Sequence, residues 1–392
     1  MTVTADVIVV GLGAMGAATL YQLALRGVRA LGIERWQTPH DQGSSHGESR
    51  ITRQAIAEGE HYVPFVRRSH EIWRALEAES GESLLCPVGG LFLGRQAATV
   101  SHHGQLDFVG RTTEIARRHQ IPHETLSAAQ VSERFPQFHL VGDEVAYYEP
   151  GAGLLRPERC VATQLDRARA HGAVTRTGEL VVRITPGPSD VQVTTDATTY
   201  LGGSVVVTAG PWLPALLGGP FPKLLAVYRQ VLYWFAPDDP SIFAPGRFPI
   251  FIWTHGASER DHFYGFPVVS EGLKVGTEQF TETTDPEHRR PVSPVEIASM
   301  HAEHVRDRLP GVSDRCLRAQ TCLYTVTPDF GFVIDEHPDS ARIVVASPCS
   351  GHGFKHSAAI GEAIAERVSR GASTLDLAPF SLSRLGRDTL TA

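Results

Sequence analysis

The sequence predicts an α/β (α+β) fold in which a Rossmann-like nucleotide-binding unit is interleaved with a β-sheet-rich domain. Three observations carry this. The apolar run Val7-Ile8-Val9-Val10 leads directly into Gly11, Gly13 and Gly16 and then an amphipathic stretch to Arg26, the strand, G-x-G-x-x-G turn and helix of a dinucleotide site. A buried strand ending on glycine, Ser204–Gly210, stands in mid-chain. Near the end, the strand Arg342–Ala346 meets a glycine-rich turn and a helix over Phe354–Arg370. In the opening motif Gly11 permits the tight turn, Gly13 lets backbone N–H groups approach a pyrophosphate, and Gly16 lets helix and strand pack closely. Glu34 closes the second apolar run, twenty-three positions after Gly11, where an acid accepts hydrogen bonds from a ribose.

The remaining elements follow in order. Phe65, Ile72, Trp73 and Leu76 have helical spacing within Pro64–Glu77. The pattern turns strand-like around Cys86–Gly94, and short helices are expected over Thr112–His119 and Ser127–Phe135. Arg156–His171 reads as a helix, with strands at Leu180–Ile184 and Val191–Thr195. Strand patterning returns at Val227–Phe235 and Phe263–Gly276, and a helix is expected over Pro294–Leu309.

Composition narrows the class. At 392 residues two domains are the natural expectation, and 42% hydrophobic with 20% charged residues is ordinary for a globular protein. A net charge of −7 without a Lys/Arg block argues against a nucleic-acid partner. No run of apolar residues is long enough for a membrane span. The first strand begins within a few residues of Met1, leaving no room for a signal peptide, and Thr389–Ala392 holds no targeting tripeptide. Five scattered cysteines lack C-x-x-C spacing, so reduced thiols in a cytoplasmic protein are expected, with no metal site.

Three constellations could carry chemistry. Arg50 and Arg53 follow a Gly/Ser/His-rich loop, and arginine suits bidentate recognition of a carboxylate or phosphate; on spacing alone they are equally two solvated surface arginines. Ser350-Gly351-His352-Gly353-Phe354-Lys355 joins a buried strand to a helix, where free N–H groups and Lys355 make a positive pole. A plain turn would also use these glycines, and a lone histidine is more often packed than catalytic. The third is Thr321-Cys322-Leu323-Tyr324. A free thiol is commonly a buried apolar residue, and the sequence leaves Cys322 undecided.

Taken together and in this order, the opening fingerprint, Gly43–Arg53, Glu58–Pro64, Thr321–Tyr324 and Ser350–Lys355 resemble the family of monomeric sarcosine oxidase, N-methyltryptophan oxidase and pipecolate oxidase, within the D-amino-acid-oxidase-like flavoproteins. The resemblance extends to the tail Leu375–Leu385. It implies a glutathione-reductase-type FAD domain from residues 1–85, 151–220 and 322–392, and a substrate domain from 86–150 and 221–321. It implies FAD held by Gly11, Gly13, Ala14, Met15, Gly16, Glu34 and Arg35. Ser44, His46, Ser49, Arg50, Val181 and Gly210 would add contacts, as would Gly351, Gly353, Phe354 and Lys355, with Cys322 as the covalent tether. Arg53 and Lys355 would clamp a substrate carboxylate, and Lys274 would assist the reaction with oxygen. Arg50, Tyr264, Tyr324 and His352 would line the reacting centre.

The chain departs from the family pattern in places. Glu278 stands where a histidine is usual, Gln54 and Ile56 replace a histidine and an aromatic, and Ser45 replaces one of a histidine pair. Glu278 either pairs with a substrate cation or points to solvent. The implied activity is oxidation of a secondary amino acid or related amine by a monomer: hydride passes to flavin N5, the imine hydrolyses, and O2 becomes H2O2. Three rivals are a dehydrogenase with another electron acceptor, a catalytically decayed flavin-binding protein, and an NAD-dependent dehydrogenase.

Overall fold

The computed structural model describes residues 3–95, 103 and 106–386; the tail Thr389–Ala392 considered above lies outside them. Its first large sheet is built around the strand Val3–Val10, which pairs in parallel with Ala30–Glu34 on one side and Thr199–Val207 on the other. Val174–Thr177 extends it in parallel beyond Ala30–Glu34, and Ser340–Ser347 does so beyond Thr199–Val207. Ile8, Val9, Val205 and Val206 are wholly buried. This explains the unbroken apolar runs, because a parallel sheet covered on both faces has no wet side to alternate with.

The helix Ala14–Leu25 packs against Pro157–Ala170 and Ser357–Arg370. Ala17, Ala18 and Gly361 let these helices approach closely: a Cβ on Gly361 would sit 2.4 Å from that of Ala18. The three sheet-forming segments expected at the start, middle and end of the chain are thus brought side by side.

A second eight-stranded sheet runs from Val312–Val326 through Ala226–Pro237, Leu273–Gly276, His262–Gly265, Ile250–Thr254 and Gly90–Arg95 to Glu144–Glu149 and Glu124–Ser127. Its pairings are antiparallel except that Ile250–Thr254 and Gly90–Arg95 run parallel. A separate small sheet pairs Gly153–Leu155 with Arg50–Thr52 on one side and Leu85–Cys86 on the other. The expected division at 321/322 falls inside the strand Val312–Val326, which stays paired with Ala226–Pro237 through Cys322 to Val326. The helix expected over Pro294–Leu309 is α-helical only over Pro294–Met300 and widens into a π-turn at His301–Val305. That turn seats His301, whose Nε2 meets the Val312 carbonyl at 3.0 Å, before Pro310 and Gly311 (φ +83°) turn the chain. Among the described residues no helix is long and apolar enough to cross a membrane.

Candidate active site

A long cleft lies over the ends of the parallel strands. Gly11, Gly13, Ala14 and Met15 line one part of it, with Glu34 and Arg35. Gly11 has φ +89°, and a Cβ on Gly16 would stand 1.8 Å from the Gly11 carbonyl oxygen. Gly16 is therefore a packing glycine beneath the turn and does not line the cleft. At Gly13 a Cβ would meet only the Ser45 hydroxyl, at 3.4 Å, so its bareness leaves room for a ligand. Glu34 Oε2 accepts from the Leu12 N–H at 2.8 Å, and Oε1 accepts from Trp36 N–H at 3.1 Å. This fixes the carboxylate at the cleft wall. Burial opposes its charge, but His40 and these amides hold its pKa below the usual value.

Ser44, Val181 and Gly210 also line the cleft, which ends against Arg50, Tyr324, Gly351, Gly353 and Phe354. His46 and Ser49 lie outside that lining. His46 is buried with Nε2 3.1 Å from the Gly43 carbonyl, and burial then the Arg50 charge push its pKa to about 3, so it is neutral. Ser49 gives both its carbonyl and its hydroxyl to the Lys274 ammonium. Lining residues that sequence reasoning missed include Trp36, Trp212 and Cys349. Trp36 follows Glu34 at the strand end, the one position whose place in the motif could have given it away.

Cys322 is 1% exposed, yet its Sγ is 3.4 Å from the Arg50 guanidinium, which lines the cleft. Arg50 is held by the carbonyls of Ser49 and Ser44, at 2.9 and 2.8 Å.

A smaller cavity adjoins the cleft, and Arg50, Tyr324, Gly351 and Phe354 belong to both. Into it project Arg53, Lys355, Tyr264, Lys274, Glu278 and His352, all singled out from sequence. Glu58, His103 and His262 also line it and were not. Arg53 lies against the rings of Phe92 and Phe108, 5.5 and 5.1 Å from their centroids. Its Nη2 donates to both Glu58 carboxylate oxygens, at 2.9 and 2.7 Å, and its Nη1 donates to the Ala55 carbonyl. Burial opposes the Glu58 charge, but Arg53 and His103 hold that carboxyl well below its usual range.

Lys355 is fixed by the turn Phe354–His356 before the helix Ser357–Arg370, and its Nζ donates to the His352 carbonyl at 2.6 Å. It faces the cavity and does not line the cleft. Burial depresses its pKa to about 7, with Glu58 opposing and Arg53 adding to the fall. Lys274 Nζ donates to the Gly47 and Ser49 carbonyls at 2.6 and 2.8 Å, and burial then Arg50 lower its pKa well below an ordinary lysine. Burial likewise keeps His352 neutral. Glu278 does not point to solvent: its side chain is 8% exposed and its Oε2 lies 2.9 Å from His103 Nε2.

The glycine turn, the acid at the second strand end and a cleft reaching to the turn at Gly351 fit a flavin dinucleotide. The chain belongs to the FAD-dependent oxidoreductase family, whose model matches residues 6–367. It is an FAD-dependent oxidoreductase of the amino-acid-oxidase fold. It is 38% identical to a monomeric sarcosine oxidase of Streptomyces avermitilis over 98% of this chain and 99% of that one. It is 35% identical to an N-methyl-L-tryptophan oxidase of Yersinia pestis over 97% and 99% of the two chains. Among solved structures it resembles NikD, an amino acid oxidase of nikkomycin biosynthesis, with a TM-score of 0.84 and 26% identity over 97% of this chain and 98% of that one.

Proposed function

We propose that this protein is an oxidase of secondary amino acids, N-methyl or cyclic, that uses FAD tethered through Cys322. One observation carries the reading. The dinucleotide cleft and the cation-lined cavity share Arg50, Tyr324, Gly351 and Phe354, so a substrate in the cavity adjoins the end of a cofactor in the cleft. The similarity to a sarcosine oxidase and an N-methyltryptophan oxidase supports the same substrate class.

The residues divide the work. Gly13, Ala14 and Met15 receive the pyrophosphate, Glu34 the ribose, and Arg50 with the turn at Gly351 the flavin ring. When bound, FAD would supply a two-electron acceptor for the hydride on the carbon next to the substrate nitrogen, and O2 with two protons would take those electrons on as H2O2. Arg53 and Lys355 hold the substrate carboxylate and so fix which C–H faces the flavin. The amine must be neutral to give up hydride, and a buried cavity with neighbouring cations lowers its pKa. Lys274, held by the Gly47 and Ser49 oxygens, is the fixed hydrogen-bonding group for the oxygen step. The imine hydrolyses in water after release. The word monomeric in the name of the Streptomyces relative supports action as a single chain, and a cytoplasmic setting accords with the free thiols.

Two measurements test this. Protein precipitated with acid should stay yellow, and Cys322→Ser should release its flavin; a wild type that loses all colour overturns the tether. Anaerobic addition of sarcosine, N-methyl amino acids, proline and pipecolate should bleach the flavin with at least one of them, and air should then restore it with peroxide. Bleaching that air fails to reverse would favour a dehydrogenase.

A further inference from the structure

His103 comes from a segment remote in sequence from every other cavity residue, and it stands between two carboxylates. Its Nδ1 lies 3.3 Å from Glu58 Oε1 and its Nε2 lies 2.9 Å from Glu278 Oε2. Burial opposes a charge on the ring, but Glu278 and then Glu58 overcome this and lift its pKa to about 9. The ring is also boxed by His352, Phe330 and Phe280, with centroids 5.4, 5.8 and 5.9 Å away. The pair rests on the bare face of Gly351, where a Cβ would be 2.9 Å from His103 Nε2 and 3.1 Å from Glu278 Oε1.

Gly351 belongs to both cleft and cavity. The histidine and its carboxylate therefore fill volume beside the place where a substrate would meet the cofactor. An ion pair pinned at both ends is a stiff filler, since moving it strands buried charge.

We infer that His103, clamped between Glu58 and Glu278, is a plug that restricts the cavity to amino acids with small side chains. The inference rests on the amino-acid-oxidase reading and sharpens it: the substrate class is N-methyl amino acids with small side chains. Glu278 is the plug's anchor. A bulky aromatic side chain is excluded by occupied space, and the shape of that space changes when the plug is removed.

The test uses flavin-loaded wild type, His103→Ala, His103→Gln and Glu278→Ala. Acetate and phenylacetate are titrated by their perturbation of the flavin spectrum, and sarcosine, N-methylalanine and N-methylphenylalanine by anaerobic bleaching. Wild type should prefer the small member of each set, and His103→Ala should shift the ratio toward the large member by about 10-fold or more, the scale on which pockets discriminate by size. His103→Gln, similar in length and polar, should restore most of the preference. Glu278→Ala, which removes the anchor, should move the ratio the same way if His103→Ala does not fold. An unchanged ratio in both alanine variants overturns the plug, as does a wild type that takes the large ligands as readily as the small. Size-graded carboxylate binding without bleaching by any amine would leave the plug standing and remove the oxidase reading. Bleaching by amines of every size would do the reverse.

Discussion

The guanidinium of Arg53 is already engaged by a carboxylate of the chain itself, that of Glu58, at 2.9 and 2.7 Å. Both side chains are almost wholly buried, 1% and 5% exposed. A substrate carboxylate drawn to Arg53 therefore meets a cation whose charge is largely cancelled, and it must share Nη2 with Glu58 or displace it. Glu58→Gln keeps the shape and removes the rival charge. Acetate should then bind more tightly, by an amount on the order of the 1.5–3 kcal/mol of a charge-assisted hydrogen bond. The same change leaves a buried arginine without its counter-charge, so the melting temperature should fall; removing one partner of a buried pair costs about 3–5 kcal/mol. Tighter acetate binding with lower stability is the expected pair of results, read by spectral titration and thermal unfolding. Weaker binding would show that Glu58 orients Arg53 for the ligand.

Lys355 gives a pH dependence with a definite sign. Its folded pKa of about 7 lies below the ordinary lysine value, chiefly because it is buried. The destabilisation from burying its ammonium is complete below about pH 7 and disappears as pH rises toward the pKa of the unfolded chain. For a carboxylate ligand the consequence is reversed. Below pH 7 the ammonium is already present; above it, binding must draw a proton onto Nζ. Acetate affinity should be flat on the acid side and fall by up to about tenfold per pH unit above pH 7. Calorimetry in buffers of different ionisation enthalpy should register the proton uptake. His103, with its pKa of about 9, should add a second break near that pH. Affinity that stays constant from about pH 6 to 8 would assign carboxylate binding to Arg53 alone.

The glycines of the opening motif separate into two kinds, and mutation should separate them too. A methyl at Gly16 would collide with the Gly11 carbonyl at 1.8 Å and with Thr208 Oγ1 at 2.7 Å. Gly16→Ala should therefore destabilise the protein even without flavin, by about 1–3 kcal/mol as overpacking does. Gly13 has φ −71° and an open Cβ direction apart from Ser45. Gly13→Ala should leave apoprotein stability unchanged and weaken flavin retention. Denaturant unfolding of the apoproteins and the flavin-to-protein ratio after purification distinguish the two.

This division shows what the sequence could and could not convey. Val7–Val10, the glycine spacing and Glu34 act through neighbours close along the chain, so local pattern sufficed to predict strand, turn, helix and acid. Arg50, Arg53, Lys355 and Cys322 were found through motifs whose joint order is informative although each alone is not. Glu58 stood in one of those motifs, but its bond to Arg53 depends on the backbone between them, from the strand Arg50–Thr52 to the turn Glu60–Tyr62. His103 had no local signal, since both its partners lie far away in sequence and neither flanks it in any pattern. The strand Val312–Val326 crosses the expected 321/322 boundary because its hydrogen-bond partner is Ala226–Pro237, a pairing that composition does not encode.

Lys274 has a structural task as well as its proposed chemical one. Its Nζ donates to the Gly47 carbonyl, the Ser49 carbonyl and the Ser49 hydroxyl at 2.6, 2.8 and 3.1 Å, and it lies 4.5 Å from the centre of the Phe266 ring. It thus ties down the loop that carries Ser44 and Arg50 to the cleft. Lys274→Met keeps the length and the apolar stem but leaves two buried carbonyls without this donor, each at about 1–3 kcal/mol, so some loss of thermal stability should accompany any kinetic change. If the ammonium acts on oxygen, rapid mixing should show reoxidation slowed on the order of 10²–10³-fold, the scale of removing one fixed electrostatic group. Reduction by substrate should slow much less, because Arg53 and Lys355 are untouched. Equal slowing of both half-reactions would mean that the residue works through the loop it holds. Lys274→Arg adds a control, since it retains charge and donors in a different shape: recovered stability with slow reoxidation would locate the oxygen effect in the compact ammonium itself.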